Sequence, residues 1–188
     1  MRRRYWFPKR YADVAARLRV PAGFVLAGLF LWFSRPTPAS LAWGAPISAA
    51  GLLLRAWAAG HLEKNERLAM TGPYAHLRNP LYAGTVLVAA GLAIGAREAW
   101  LAAGFALFFV FLYLPVIQEE EKHLRELFPE FERYAAEVPP LAPRLRPVAR
   151  GRFRWSLYRR NEEYRALLGY LAGLAALAWK AWSGIPRG

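Results

Sequence analysis

Residues 72–84, GPYAHLRNPLYAG, gather a histidine, an arginine, two prolines and two tyrosines at the threshold of a hydrophobic segment. A second polar cluster, Gln118-Glu119-Glu120-Glu121, closes a later apolar run with three adjacent carboxylates. Gly72 and Pro73 are turn residues, and Pro80 fits the first turn of a helix, where its missing N–H costs nothing. The free N–H groups at that helix start would point toward Tyr74, His76 and Arg78. A helix N-terminus with an arginine beside it receives anions. Tyr74 and Tyr82 add aromatic faces, which attract cations. A site that welcomes both signs suits a zwitterion. The three glutamates repel one another, and the negative end of a helix disfavours them further. They call for a neighbouring arginine or a cationic ligand.

The elements that must position these clusters are legible from composition. The chain has 188 residues, 56% of them hydrophobic, with a net charge of +13. Its apolar residues come in blocks and its basic residues fall between the blocks. That is the pattern of a membrane protein and not of a nucleic-acid-binding face. Five apolar segments are expected as helices, over residues 20–33, 41–60, 81–95, 99–117 and 166–182. The first is short for a span of about 20 residues, and the third and fourth form an antiparallel hairpin across Arg97 and Glu98. With the N-terminus in the cytoplasm, residues 1–19, 61–80 and 118–165 carry 21 of the 26 Lys and Arg on the inner side. This is a positive-inside distribution, and it brings both polar clusters to one cytoplasmic face. Arg78 and the tyrosines are then expected opposite Glu119 and Glu120.

Leu124, Leu127, Phe128, Phe131, Tyr134 and Val138 recur at three- and four-residue spacing, as on an amphipathic helix. The proline-rich residues 138–147 forbid helix. The run GRFRWSLYRR (151–160) mixes arginine with aromatics and suits the headgroup layer. Arg55 is expected to snorkel to the cytoplasm, and His61 and His123 to lie on the surface. Gly91/Gly95 and Gly169/Gly173 read as helix-packing notches. With no cysteine and three scattered histidines there is no thiolate chemistry and no local metal motif. No small-residue cleavage site closes a short apolar core, so a removed leader is not expected.

Taken in order, GPY-x-x-x-RNP-x-Y-x-G, then EE-x(3)-L, F-x-x-Y and V-P-x-x-x-P resemble the motifs of the isoprenylcysteine carboxyl methyltransferases and the related phospholipid N-methyltransferases. The resemblance covers roughly residues 51–143. It implies an all-α integral membrane protein of about five transmembrane helices. A cytoplasmic amphipathic helix and a C-terminal loop would complete a non-Rossmann pocket for S-adenosylmethionine. It implies a single membrane domain over 1–188, with a catalytic core at 61–147 between two helices (1–60) and a basic aromatic segment plus last helix (148–188). Tyr74, His76, Arg78, Asn79, Pro80, Tyr82 and Gly84 stand where the family builds its cofactor wall, and Glu119 and Glu120 where paired glutamates hold the cofactor. Arg78 and Glu119 are the implied catalytic pair. The family usually has histidine where this chain has Asn79, so an imidazole role is lost or passes to His76. Aligning on Tyr134 gives Glu119 and Glu120 as the pair, whereas aligning on Phe128 gives Glu120 and Glu121. The first keeps the spacing from Tyr134 to Val138.

The expected reaction moves a methyl group from S-adenosylmethionine to a lipophilic acceptor entering from the bilayer, an isoprenylcysteine-like carboxylate before a phospholipid amine. The expected partners are this substrate and membrane lipids, with no nucleic acid and no metal. The expected location is multi-pass in the membrane, with N-terminus and active site cytoplasmic. Two other classes fit less well: a sterol-reductase-like enzyme using NADPH, and a non-enzymatic adaptor holding anionic lipid.

Overall fold

The structure is a computed structural model that describes residues 6–145, 147 and 149–183. Every regular element among them is helical: α1 (Lys9–Phe33), α2 (Pro38–Ala59), a 3-10 turn (Gly72–Ala75), α3 (Pro80–Ala96), α4 (Ala99–Phe108), a π-helical stretch (Phe109–Tyr113), α5 (Leu114–Leu127), α6 (Phe131–Glu137), α7 (Trp155–Arg160) and α8 (Tyr164–Trp182). All five apolar segments are therefore helices. By length and apolarity, two helices among the described residues qualify to cross a membrane: α1 and the continuous helix Ala99–Leu127. The apolar α3 has 17 residues.

Local sequence explains the boundaries. Thr37 caps α2 by exchanging hydrogen bonds with Ser40 in a capping box, and Pro38 occupies the first turn. α1 begins eleven residues before the first apolar segment, because the polar turns preceding Val20 continue its helix. α3 ends at Arg97, whose φ of 59° turns the chain into α4 and closes the expected hairpin. α2 and α3 form the most extensive helix pair. Gly44, Ser48 and Gly51 face Gly84 and Gly91 so closely that a Cβ on Gly91 would lie 2.4 Å from the Gly44 carbonyl oxygen. Ser48 Oγ also donates to the Val88 carbonyl at 2.9 Å. The notch reading thus holds at Gly91. At Gly95 the nearest atom to an added Cβ is the Leu41 side chain at 3.2 Å, a tight contact as well. Gly169 and Gly173 have nothing within 4 Å and are not notches in this chain.

The π-helical stretch has a traceable cause. Pro115 lacks the N–H that would bond the Phe111 carbonyl four residues earlier. The helix widens there, with the Leu114 N–H on the Phe109 carbonyl, and Tyr11 Oη of α1 donates to Phe111 O at 2.8 Å. Gln118 pins the same pair of helices by accepting the Trp6 and Phe7 N–H groups and donating to the Phe7 carbonyl. α1 is thereby fastened along the helix that carries the glutamates.

The amphipathic pattern after Glu121 is not one helix. Pro129 interrupts it, and α5 and α6 meet at an angle that still buries Phe131, Tyr134 and Val138 with Leu68 against Leu124, Phe128 and Met70. Leu127 falls outside this core and stays exposed.

Candidate functional site

The 3-10 turn and the start of α3 are held from behind by the proline-rich segment. The Arg78 and Asn79 N–H groups donate to the carbonyls of Pro139 and Pro140 at 2.9 and 3.1 Å. Prolines offer carbonyls but no competing donors, which suits them to this one-sided pairing. Tyr134 Oη donates to the Tyr74 carbonyl at 2.7 Å, and His76 and Arg144 exchange two bonds, N–H to carbonyl and Nδ1 to carbonyl. Gly72 sits at φ +60°, with the His61 ring where a side chain would be. The separate sequence motifs thus converge on one backbone frame. Burial pushes the phenols of Tyr74 and Tyr134 above their ordinary range, so both remain neutral.

Arg78 is committed to this frame. Its Nε and Nη2 reach both oxygens of Glu121, at 2.9 and 3.4 Å, and its Nη1 donates to the Ala135 carbonyl at 2.7 Å. Asn79 Nδ2 adds a bond to Glu121 at 3.3 Å. The expected facing of Arg78 toward Glu119 and Glu120 is therefore corrected by one residue: Glu121 neutralises the arginine. The cause is helix periodicity, since adjacent residues on α5 point about 100° apart. Glu120 accepts the Tyr82 hydroxyl at 2.9 Å, and Glu119 lies 3.9 Å from Lys122, one turn away.

These side chains line a cavity of about 660 Å³ between α1, α3, α5 and the loop 62–69. Such a volume falls within the range of ligand sites, roughly 300–1,000 Å³. Tyr74, Arg78, Asn79, Pro80, Tyr82, Glu119 and Glu120 all border it. His76 and Gly84 do not. His76 is turned to Arg144, with Trp57 nearby, and Gly84 is spent on contact with Gly51 and Arg55. Glu119 and Glu120, which no arginine among the described residues neutralises, fit a sulfonium and an amino group, and Tyr74 and Tyr82 supply aromatic surface.

Sequence reasoning missed two walls of the cavity. Ala12, Asp13, Ala16 and Arg19 of α1 form one, and the loop 62–69 forms the other. Asp13 was the available signal, as the lone acid in the first 60 residues. Arg55 also borders the cavity and does not snorkel. It forms a two-toothed ion pair with buried Glu163 at 2.5 and 3.1 Å, and bonds Thr85 Oγ1 and the Leu81 carbonyl. His61 is buried, not superficial, and holds Thr71 Oγ1 at 2.9 Å, whereas His123 is exposed at the cavity edge.

Residues 43–130, which carry α2 to α5, match the family model described as phospholipid methyltransferase. The chain belongs to the phospholipid methyltransferase family. It is similar to the cobalt-zinc-cadmium resistance protein CzcN of Cupriavidus metallidurans, 34% identical over 147 residues that cover 74% of this chain and 68% of that one. It is also similar to the nickel-cobalt-cadmium resistance protein NccN of Alcaligenes xylosoxydans xylosoxydans, 34% identical over 66% of this chain and 55% of the relative. No solved structure matches it. The matched domain is that of a methyltransferase, and with the two long apolar helices it associates the chain with a membrane. Both motif clusters quoted from the sequence fall inside the matched residues.

Proposed function

We propose that this member of the phospholipid methyltransferase family transfers the methyl group of S-adenosylmethionine to a lipophilic acceptor, with the carboxylate of an isoprenylcysteine-like molecule as the preferred acceptor class. One observation carries the reading: Glu119 and Glu120 border a ligand-sized cavity without an arginine among the described residues to neutralise them, while the adjacent Glu121 is engaged by Arg78. Two open carboxylates beside Tyr74 and Tyr82 select a cationic ligand. The cofactor supplies an electrophilic methyl on a sulfonium. An acceptor carboxylate takes it with its own lone pair, the electrons of the broken S–C bond remain on sulfur, and no proton is released. The site then needs alignment and exclusion of water more than a base. Arg78 acts by fixing Glu121 and the α3 start, which aims Tyr82 and Glu120.

In this reading all five apolar helices cross the membrane and the cavity opens on the cytoplasmic side, as the positive-inside distribution supports. The acceptor enters from the bilayer. The relatives' names supply a setting, resistance to cobalt, zinc, cadmium and nickel, to which lipid methylation would contribute. Calorimetry in detergent with S-adenosylhomocysteine, followed by labelled methyl transfer to a prenylcysteine and to phosphatidylethanolamine, tests the proposal. Binding of the nucleoside and label on the prenylcysteine are expected. A well-folded sample that binds neither cofactor nor product rules the proposal out.

A further inference from the structure

The cavity's cations are not equivalent. Arg78 is consumed by Glu121 and the Ala135 carbonyl, and Arg55 by Glu163, Thr85 and the Leu81 carbonyl. Arg19 differs. Lys64 and Arg67 also border the cavity without a carboxylate partner among the described residues, but they are exposed; Arg19 borders it from α1, is half-buried, and among the described residues makes no ion pair with a carboxylate. Its polar neighbour is the hydroxyl of Tyr82, whose own proton goes to Glu120. Ala12, Ala16 and Arg19 lie within about 60° of one another on the helix, at 100° per residue. Beside Arg19 that face carries two alanines, and all three residues border the cavity. α1 also lies outside residues 43–130, which match the family model.

We propose that Arg19 is the acceptor-binding residue that recognises an anionic head, a carboxylate or a phosphate, on the lipophilic acceptor. The inference rests on the methyltransferase reading for its reaction but not for its binding test. A guanidinium in a half-buried cleft, with donors to spare, pairs with either oxyanion in a charge-assisted bond. Tyr82 is the ruler. It touches Arg19 on one side and Glu120 on the other, so an anion on Arg19 stands one side chain from the carboxylates that select the sulfonium. The arrangement also clears the product. A methylated carboxylate is neutral, and its attraction to Arg19 is gone. An attraction made by the bound substrate and not strengthened at the transition state belongs in KM and not in kcat.

The test measures binding first, by calorimetry in a nonionic detergent. One prenyl thioether chain is presented as its carboxylic acid, as a phosphate monoester and as the neutral methyl ester of the acid. The wild-type chain should bind at least one anion about tenfold or more tightly than the ester, and whichever anion leads identifies the head group. Arg19→Ala and Arg19→Gln should lose that preference, Arg19→Lys should recover part of it, and Arg17→Ala, on an exposed position two residues earlier, should keep it. With labelled cofactor, Arg19→Ala should raise KM for the anionic acceptor about tenfold at nearly unchanged kcat, and leave S-adenosylhomocysteine affinity as it was. A wild-type protein indifferent between acid and ester, or an Arg19→Ala variant that retains the preference, overturns the assignment. A failure to bind S-adenosylhomocysteine instead sinks the methyltransferase reading, and the acid-ester comparison still decides the role of Arg19.

Discussion

At the scale of single residues, three consecutive glutamates have three different duties. Glu121 shares its two oxygens with Arg78 and is mostly buried, with side-chain exposures of 14% and 9% for the pair. Removing one partner of such a pair strands the other charge and costs about 3–5 kcal/mol. Glu119 and Glu120 carry no comparable structural burden, since their partners are a lysine at 3.9 Å and a single tyrosine hydroxyl. Glu121→Gln is therefore expected to lower the melting temperature sharply, whereas Glu119→Gln and Glu120→Gln should melt close to wild type. Affinity for S-adenosylhomocysteine should fall about tenfold or more in the latter two. Thermal melts paired with calorimetry separate the classes. A reversed pattern would make Glu121 the ligand group and Glu119 the structural one. The choice of pair could not be read from spacing, because the motif alignments offered both registers and only helix rotation assigns each carboxylate a direction.

At the scale of elements, the α2–α3 pair sets the angle at which the start of α3 meets the end of α5. Its helices approach through glycine and serine, so backbone touches backbone, and a methyl group has no flexible neighbour to displace. Gly91→Ala would place its Cβ 2.3 Å from Ser48 Oγ and 2.6 Å from the Ser48 nitrogen. Separation of the helices by even a fraction of an ångström is expected to cost at least about 1–3 kcal/mol and to weaken cofactor binding at a distance. Gly28→Ala on α1, with nothing within 4 Å, should be neutral or slightly stabilising. A fluorescence-monitored melt of the two variants checks the contrast. Much of this level was legible in the sequence. Apolar blocks gave five helices, the Arg97-Glu98 break gave the hairpin, and the GPY and EE motifs were expected at one end. What stayed hidden depends on tertiary geometry. Gly169 and Gly173 share the four-residue spacing of Gly91 and Gly95 yet face nothing, because spacing marks a helix face without saying what covers it. Arg55 read as a snorkelling residue because its partner, Glu163, lies in a distant segment. The α1 wall was missed because Ala12 and Ala16 carry no chemical signal and matter only as absent bulk.

At the scale of the whole molecule, the C-terminal third reaches back to hold one wall of the cavity, the loop 62–69. The Arg154 N–H donates to the Gly60 carbonyl, Arg154 Nη1 pairs with Glu63 at 2.7 Å, and Arg160 pairs with Glu66. Asn161 Nδ2 reaches the carbonyls of Ala59 and Leu62, and Phe153 packs edge-on to His61. The basic aromatic run, expected at the headgroup layer, is thus also a strap across the loop. Its ion pairs are solvent-exposed and individually weak, so salt should loosen the loop without unfolding the helices. Lys64 and Arg67 are exposed there and report loosening as trypsin sites. Cleavage after them should quicken as salt rises, and Arg160→Ala should cut quickly already at low salt. Acid should act in the same direction. Arg160 holds the Glu66 carboxyl below its ordinary range, so this pair stabilises the strap above the usual carboxylate range and is lost as protons bind below it. Burial lowers the His61 imidazole, so the fold favours its neutral form and loses stability as pH falls below the ordinary histidine value of about 6.5. Melting temperature should accordingly decline from neutral pH toward 5.5. His61→Gln, which cannot titrate, should flatten that first decline and leave the later loss at Glu66 in place. Trypsin rates indifferent to salt would show that the strap is held by Phe153 and Asn161 and not by charge. A wild-type melt insensitive to pH across that interval would show that His61 contributes nothing to stability through its titration.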